Sequence, residues 1–100
     1  MRFNERCYQL LLKVPRGKVT TYKVLAHALG TRAYRAVGNA MRKNPNAPRV
    51  PCHRVVRSDG KIGNYSGDGG IAKKIYLLQQ EGVIVNDGTV DLKKYGWNFN

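Results

Sequence analysis

The sequence predicts a mainly α, winged-helix-like helix-turn-helix domain with a small C-terminal hairpin, in a single domain spanning residues 1–100. Three observations carry that prediction. Apolar residues recur at helical spacing in the first half; two short segments of this kind are joined by a glycine turn; and Asn86-Asp87-Gly88 separates two apolar runs near the C-terminus. A chain of 100 residues supports one modest core, burying roughly two-thirds of the surface its unfolded form exposes.

The elements follow in order. Phe3, Cys7, Leu10, Leu11 and Val14 share a helical face behind Asn4, a good N-cap, and the pattern stops at Pro15. Pro15-Arg16-Gly17-Lys18 is turn chemistry. A second helix is expected over residues 22–29, capped by Thr21 and closed by Gly30. Thr31 is expected to cap a third helix with almost no loop between. Its apolar stripe is Ala33, Ala36, Val37, Ala40 and Met41, and Arg35, Asn39 and Arg42 line another face at i, i+4 and i+7.

Asn44-Pro45 ends that helix, and Pro45, Pro48 and Pro51 make the following stretch a stiff crossing. Val55-Val56 reads as a short extended piece, Ser58-Asp59-Gly60-Lys61 as a turn, and residues 63–70 as a glycine-rich loop. That loop lacks the Lys-Ser/Thr ending of a phosphate-cradling loop, which excludes a nucleoside triphosphate site of that type. Ile71, Ile75, Leu77 and Leu78 mark a fourth helix ending at Gly82. Val83-Ile84-Val85 and Thr89-Val90 form the hairpin arms, and Tyr95-Gly96-Trp97 is expected to fold its aromatics back on the domain.

Charge is the abnormal feature. Lys plus Arg number 18 against 6 Asp plus Glu, a net +12. No carboxylate occurs between residues 6 and 58, where twelve of the basic residues lie; the remainder is neutral. A one-signed block of that size repels itself unless a polyanion neutralises it, and nucleic acid is the commonest such partner. A solvated basic surface explains the charge alone, but a basic and amide face on the second helix of a helix pair favours nucleic acid. The longest apolar runs are three or four residues, so neither a membrane span nor a signal segment is expected, and an intracellular, cytoplasmic or nucleoid-associated protein is. Two cysteines and two histidines show no zinc-ligand spacing and make no disulfide framework. No metal and no cofactor are therefore expected.

Pro51-Cys52-His53-Arg54-Val55-Val56 places a thiol beside an imidazole, with Arg49 and Arg54 near, just after a proline-stiffened loop. Nearby cations and a general base favour thiolate, the nucleophilic form. Cys7, on the apolar stripe of the first helix, reads instead as a small core residue.

These motifs resemble the alkylguanine-DNA alkyltransferases, also called methylated-DNA-protein-cysteine methyltransferases. The resemblance runs from about Phe3 to Trp97, as that family's C-terminal DNA-binding and active-site domain. It is carried by Arg35-Ala36-Val37-Gly38, Ala40-Met41-Arg42, Asn44-Pro45, Pro51-Cys52-His53-Arg54-Val55-Val56, Gly63-Asn64-Tyr65-Ser66-Gly67 and Glu81-Gly82, in that order. The resemblance implies stoichiometric repair of O6-alkylated guanine in double-stranded DNA, with Cys52 keeping the alkyl group. His53 would remove the thiol proton through a water, and Glu81 would orient His53. Tyr65 matches the proton donor to the leaving guanine, Ser66 a contact to the alkylated oxygen, and Asn44 a residue fixing the active-site turn. Met41, Val55, Gly63 and Asn64 would wall the pocket.

The target base must leave the stack to be reached. Arg35 corresponds to the finger that fills the vacated place, and Tyr22 to a residue that crowds the flanking phosphate. Thr21, Gly38, Asn39 and Arg42 join them as expected DNA contacts. A helix-turn-helix alone suggests major-groove readout, whereas the family lays its second helix in the minor groove; Ala33, Ala36, Gly38 and Ala40 make the helix slim enough. A monomer is expected, with cooperativity along DNA left open. The family's usual N-terminal domain has no counterpart in these residues, and Asp68-Gly69-Gly70 looks longer than usual. Two rivals remain: an alkyltransferase-like lesion binder, a class that lacks the acceptor cysteine that position 52 supplies, and a plain helix-turn-helix DNA-binding protein.

Overall fold

The computed structural model describes residues 1–65 and 69–99. Helix α1 is Phe3–Leu11. It starts one residue ahead of Asn4, with Arg2 as an N-cap that makes no side-chain bond, because Phe3 packs on the core and the helix begins at that anchor. Its exit is earlier than Pro15: Lys13 and Val14 N–H groups donate to Leu10 and Leu11 carbonyls at 2.9 and 3.1 Å, a tightened last turn that still buries Val14.

Strand β1, Thr20–Thr21, leads directly into α2, Tyr22–Ala28. Thr21 caps α2 as expected, its hydroxyl accepting from Val24 N–H at 3.0 Å. Helix α3 is Tyr34–Arg42 and starts later than the sequence suggests. The Thr31 hydroxyl accepts from Ala33 N–H at 3.1 Å and closes a turn ahead of the helix, so the N-cap falls to Ala33 without a side-chain bond. Val37, Ala40 and Met41 face inward, and the Tyr8 hydroxyl donates to Ala40 O at 2.7 Å, tying α1 to α3.

A 3-10 turn, Cys52–Arg54, runs into β2, Val55–Val56. β2 pairs in parallel with β1, Thr20 opposite Val55 and Thr21 opposite Val56. Because strand neighbours point to opposite faces, Val55 enters one core cluster with Cys7, Leu11, Leu25, Val37 and Cys52. Val56 enters the other, with Val19, Ile62, Leu78, Val83, Val90 and Tyr95. The segment that carries Cys52 thus sits on the seam between the two core clusters.

Helix α4, Gly70–Gln80, corrects one expectation. Ile71 is 48% exposed, while Lys74 and Leu78 occupy the buried face. The hairpin is β3, Val85–Asn86, with β4, Thr89–Val90, and is shorter than the apolar run at 83–85 suggests. Asp87 and Gly88 both take positive φ, 51° and 70°, the requirement of the two-residue turn that matches strand twist. A last helix, α5, is Leu92–Tyr95, capped by Asp91. Gly96 bridges to Val19, Tyr95 is buried, and Trp97 packs on the first cluster, so the tail folds back as expected.

Candidate active site

The proline loop after α3 is pinned from within by Asn44. Its Nδ2 donates to Val50 O at 2.7 Å and its Oδ1 accepts from Asn46 N–H at 3.0 Å. Cys52 N–H then donates to Val50 O at 2.8 Å and Arg54 N–H to Pro51 O at 2.9 Å, winding the tight turn that presents the thiol. Cys52 is 5% exposed and His53 2%.

Behind the thiol lies a chain of polar groups. His53 Nε2 stands 3.0 Å from Glu81 Oε2. Arg54 donates to both carboxylate oxygens, Nε to Oε1 at 2.9 Å and a terminal nitrogen to Oε2 at 2.7 Å, and its other terminal nitrogen reaches Val14 O at 2.8 Å. Burial alone would raise the Glu81 pKa, but the hydrogen bonds from Arg54 and His53 outweigh it and hold the carboxyl below its usual range. An ionised Glu81 accepts only, so His53 Nε2 carries the proton and Nδ1 keeps a lone pair. Nδ1 is buried and has no hydrogen-bond partner among the described residues. Burial also lowers the His53 pKa, against the Glu81 hydrogen bond, which leaves a neutral base at neutral pH.

Glu81 is placed by the end of α4. Its N–H donates to Leu77 O and Leu78 O, and Gly82, at φ 88°, lets Val83 N–H return to Leu78 O at 3.0 Å. Gly17 packs beneath at φ 87°, a conformation side chains rarely adopt, and a Cβ there would stand a tight 3.2 Å from Glu81 O.

The electrostatics of Cys52 differ from the sequence expectation. Burial raises the thiol pKa, and Asn44, Lys74 and the backbone offset that rise only in part. Arg54 is committed to Glu81 and Val14, and Arg49 is exposed; the cation acting on the thiol is Lys74 of α4. Lys74 is fully buried, and Nζ donates to Val55 O at 2.7 Å, Ile62 O at 2.6 Å and Asn64 O at 3.1 Å. Burial brings its pKa down to about 8, with the Cys52 charge acting the other way. The resting group is therefore a thiol beside a neutral base rather than a standing thiolate.

Cys52 forms the floor of a cavity of about 620 Å³. Tyr22, Met41, Gly63, Asn64 and Tyr65 wall it, and Arg35, Gly38, Asn39 and Arg42 of α3 border it. Arg42 also hydrogen-bonds Asn39. Tyr22 lies close enough to the thiol that, after burial, the Cys52 charge raises its pKa further. Val55 is not on this wall; its side chain is fully buried in the core and its carbonyl serves Lys74. Thr21, expected as a DNA contact, is buried, with its hydroxyl capping α2. Ser66 lies outside the described residues. Tyr34 and Arg57, not singled out from the sequence, also line the cavity. Lys74 was legible only as the residue four before Leu78 on the inward face of α4.

A helix-turn-helix domain whose second helix borders a cavity floored by a buried cysteine, backed by a His-Glu-Arg chain, defines a class: a helix pair joined to a site for thiol chemistry. The chain belongs to the family described as 6-O-methylguanine DNA methyltransferase, DNA binding domain, which matches residues 2–83. The bifunctional methyltransferase/endonuclease of Picrophilus torridus is 45% identical over 92 residues, 91% of this chain and 30% of that protein. The methylated-DNA–protein-cysteine methyltransferase of Thermococcus kodakarensis is 54% identical over 82 residues, 81% of this chain and 45% of its own length. The chain thus spans less than half of either relative. Among solved structures, S. pombe Atl1 in complex with damaged DNA containing O6-carboxymethylguanine superposes with a TM-score of 0.86 at 31% identity, covering 98% of this chain and 99% of Atl1.

Proposed function

We propose that this protein binds double-stranded DNA carrying O6-alkylguanine, turns the damaged nucleotide out of the stack, and transfers the alkyl group irreversibly to Cys52. The observation that carries this reading is the placement of a buried thiol at the floor of a cavity bordered by Arg35 and Tyr65, with a neutral His53 held by Glu81 behind it.

The chemistry balances without a cofactor. His53 Nδ1 takes the Cys52 proton through a water, and Glu81 stabilises the imidazolium that forms. The sulfur pair forms the S–C bond to the alkyl carbon as the C–O6 bond breaks, its electrons leaving with guanine. Tyr65 supplies the proton that neutralises the departing base, and the tyrosine is restored from the imidazolium. Cys52 ends as a thioether, so one chain serves one lesion. Asn44 holds the turn, Met41, Gly63 and Asn64 wall the base, and Arg35 fills the vacated stack, with Tyr22, Gly38, Asn39 and Arg42 on the DNA side. Ala33 at the N-cap and Ala36 and Gly38 on α3 keep the helix slim for the minor groove, while Ala40 serves the core.

The second reading is lesion binding without transfer, favoured by the likeness to Atl1 over almost its whole length. Intact mass after incubation with a duplex containing O6-methylguanine separates the two. One added methyl on the Cys52 peptide, lost in Cys52→Ala, is the expected result. Tight binding with no added mass would leave the protein a lesion binder.

A further inference from the structure

Tyr34 opens α3 immediately before Arg35, and the function proposed above gives it no part. It lines the cavity with Arg35 and Cys52, yet the residue is 41% exposed, so packing into the core is not what it does. The ring is held from the far end. The Tyr34 hydroxyl lies 2.8 Å from His27 Nε2 near the end of α2, and the two rings sit 5.7 Å apart at 56°. A tether at the hydroxyl and a ring at its side fix the orientation of an exposed aromatic before any ligand arrives. Ordering that would otherwise oppose binding is then already complete.

Removing one nucleotide from a duplex exposes the flat faces of the bases around the gap. An aromatic side chain stacks on any base, because every base has a π-face. That is the recognition a damage sensor needs beside its lesion, since the neighbouring sequence varies. A guanidinium and an aromatic ring at successive positions at the mouth of the cavity provide two different surfaces there: Arg35 is long and flexible, Tyr34 flat and moored.

We propose that Tyr34, moored by His27, is a second DNA-reading residue, a platform on which an unstacked nucleobase bordering the extruded guanine packs. The inference rests on the base-extrusion reading above.

The test places a photoreactive 5-iodopyrimidine in turn opposite O6-methylguanine and at each neighbouring position, irradiates the complex with the intact protein, and maps the crosslinked peptide by mass. Methyl transfer to Cys52 is followed on the same duplexes. The crosslink is expected on Tyr34 from at least one position, retained in Tyr34→Phe and absent in Tyr34→Ala. Transfer to duplex is expected to slow about tenfold in Tyr34→Ala, the loss of one stacked base. It should stay within about threefold in Tyr34→Phe and His27→Ala, where the ring remains and only its mooring is lost. A wild-type protein that transfers methyl but yields no crosslink at Tyr34, or a Tyr34→Ala protein as fast as wild type, overturns this inference alone. A wild-type protein that neither transfers nor crosslinks overturns it together with the extrusion reading.

Discussion

Arg54 and Glu81 meet in a two-point ion pair, at 2.9 and 2.7 Å, and that pair decides which nitrogen of His53 is free. Held ionised, Glu81 accepts the hydrogen bond of the Nε2 proton and leaves Nδ1 with a free lone pair, as the proposed base requires. Glu81→Gln keeps the shape but removes the charge that stabilises imidazolium. Transfer to duplex is expected to slow on the order of a hundredfold, within the range that positioned acid–base groups contribute. Because Arg54 and Glu81 are both largely buried, the variant should also lose about 3 kcal/mol of stability from the stranded guanidinium. Single-turnover rates and chemical denaturation measure the two effects separately.

Acid should disable this site through His53 before the fold fails through Glu81. His53 has a folded pKa below its usual 6.5, so it stays a base through neutrality, and transfer should fall only as pH drops below that value. In stability, the unfolded chain binds the His53 proton first, so stability declines as pH falls below 6.5. Glu81, with its folded pKa below 4.5, adds stability that is full above 4.5 and is lost as pH falls through the folded value. A rate profile with its acid limb below 6.5, together with a melting temperature that declines in two stages, is the expected record. An acid limb near or above 7 would mean that the base is not a buried, neutral imidazole.

Helices α1 to α4, the Thr21 cap and the Asp87-Gly88 hairpin were legible because each is written locally, as periodicity, a capping residue or a turn pair; the short α5 was not. Cys52, His53, Asn44 and Glu81 could be named as candidates from their motifs. What the sequence could not show is which cation serves which partner. Arg54 is two residues from Cys52 in the chain, yet Val14 and Glu81 claim it; Lys74 is 22 positions away and acts on the thiol. The β1–β2 pairing was hidden for the same reason, since two residues per strand carry no period and the partners lie far apart. Ile71, expected on the apolar stripe, is exposed, while Lys74 lies on the buried face and donates to three backbone carbonyls, a demand invisible to hydrophobic spacing.

Lys74 stitches β2 to the pocket wall, and its removal should cost stability even though it carries a buried charge. Lys74→Met leaves the carbonyls of Val55, Ile62 and Asn64 short of a donor, a loss of about 2–4 kcal/mol at pH 7. The wild-type protein has a compensating signature. With a folded pKa of about 8 against 10.5, the unfolded chain holds the proton more tightly, so this group makes stability rise as pH climbs from 8 to 10.5. Urea denaturation at pH 7 and pH 10 should show that rise in wild type and its absence in Lys74→Met. Equal stabilities at pH 7 would show the three carbonyls satisfied without the amine.

Two kinds of basic residue border the proposed DNA face, and they should fail differently. Lys43 is the exposed C-cap of α3 and, on the proposed DNA face, would meet a phosphate as a point charge. Lys43→Ala is expected to weaken binding to any duplex and to flatten the plot of log affinity against log salt by about 0.9, the contribution of one neutralised phosphate. Arg35 borders the cavity itself and makes no ion pair among the described residues. If it occupies the gap left by an extruded base, Arg35→Ala should slow transfer to duplex about tenfold, the worth of one stacking contact. The loss should be smaller on the free modified base, which has no stack to leave. Equal losses on duplex and free base would place Arg35 in the pocket chemistry instead, and a flat salt response in Lys43→Ala and wild type alike would remove the basic block from the binding surface.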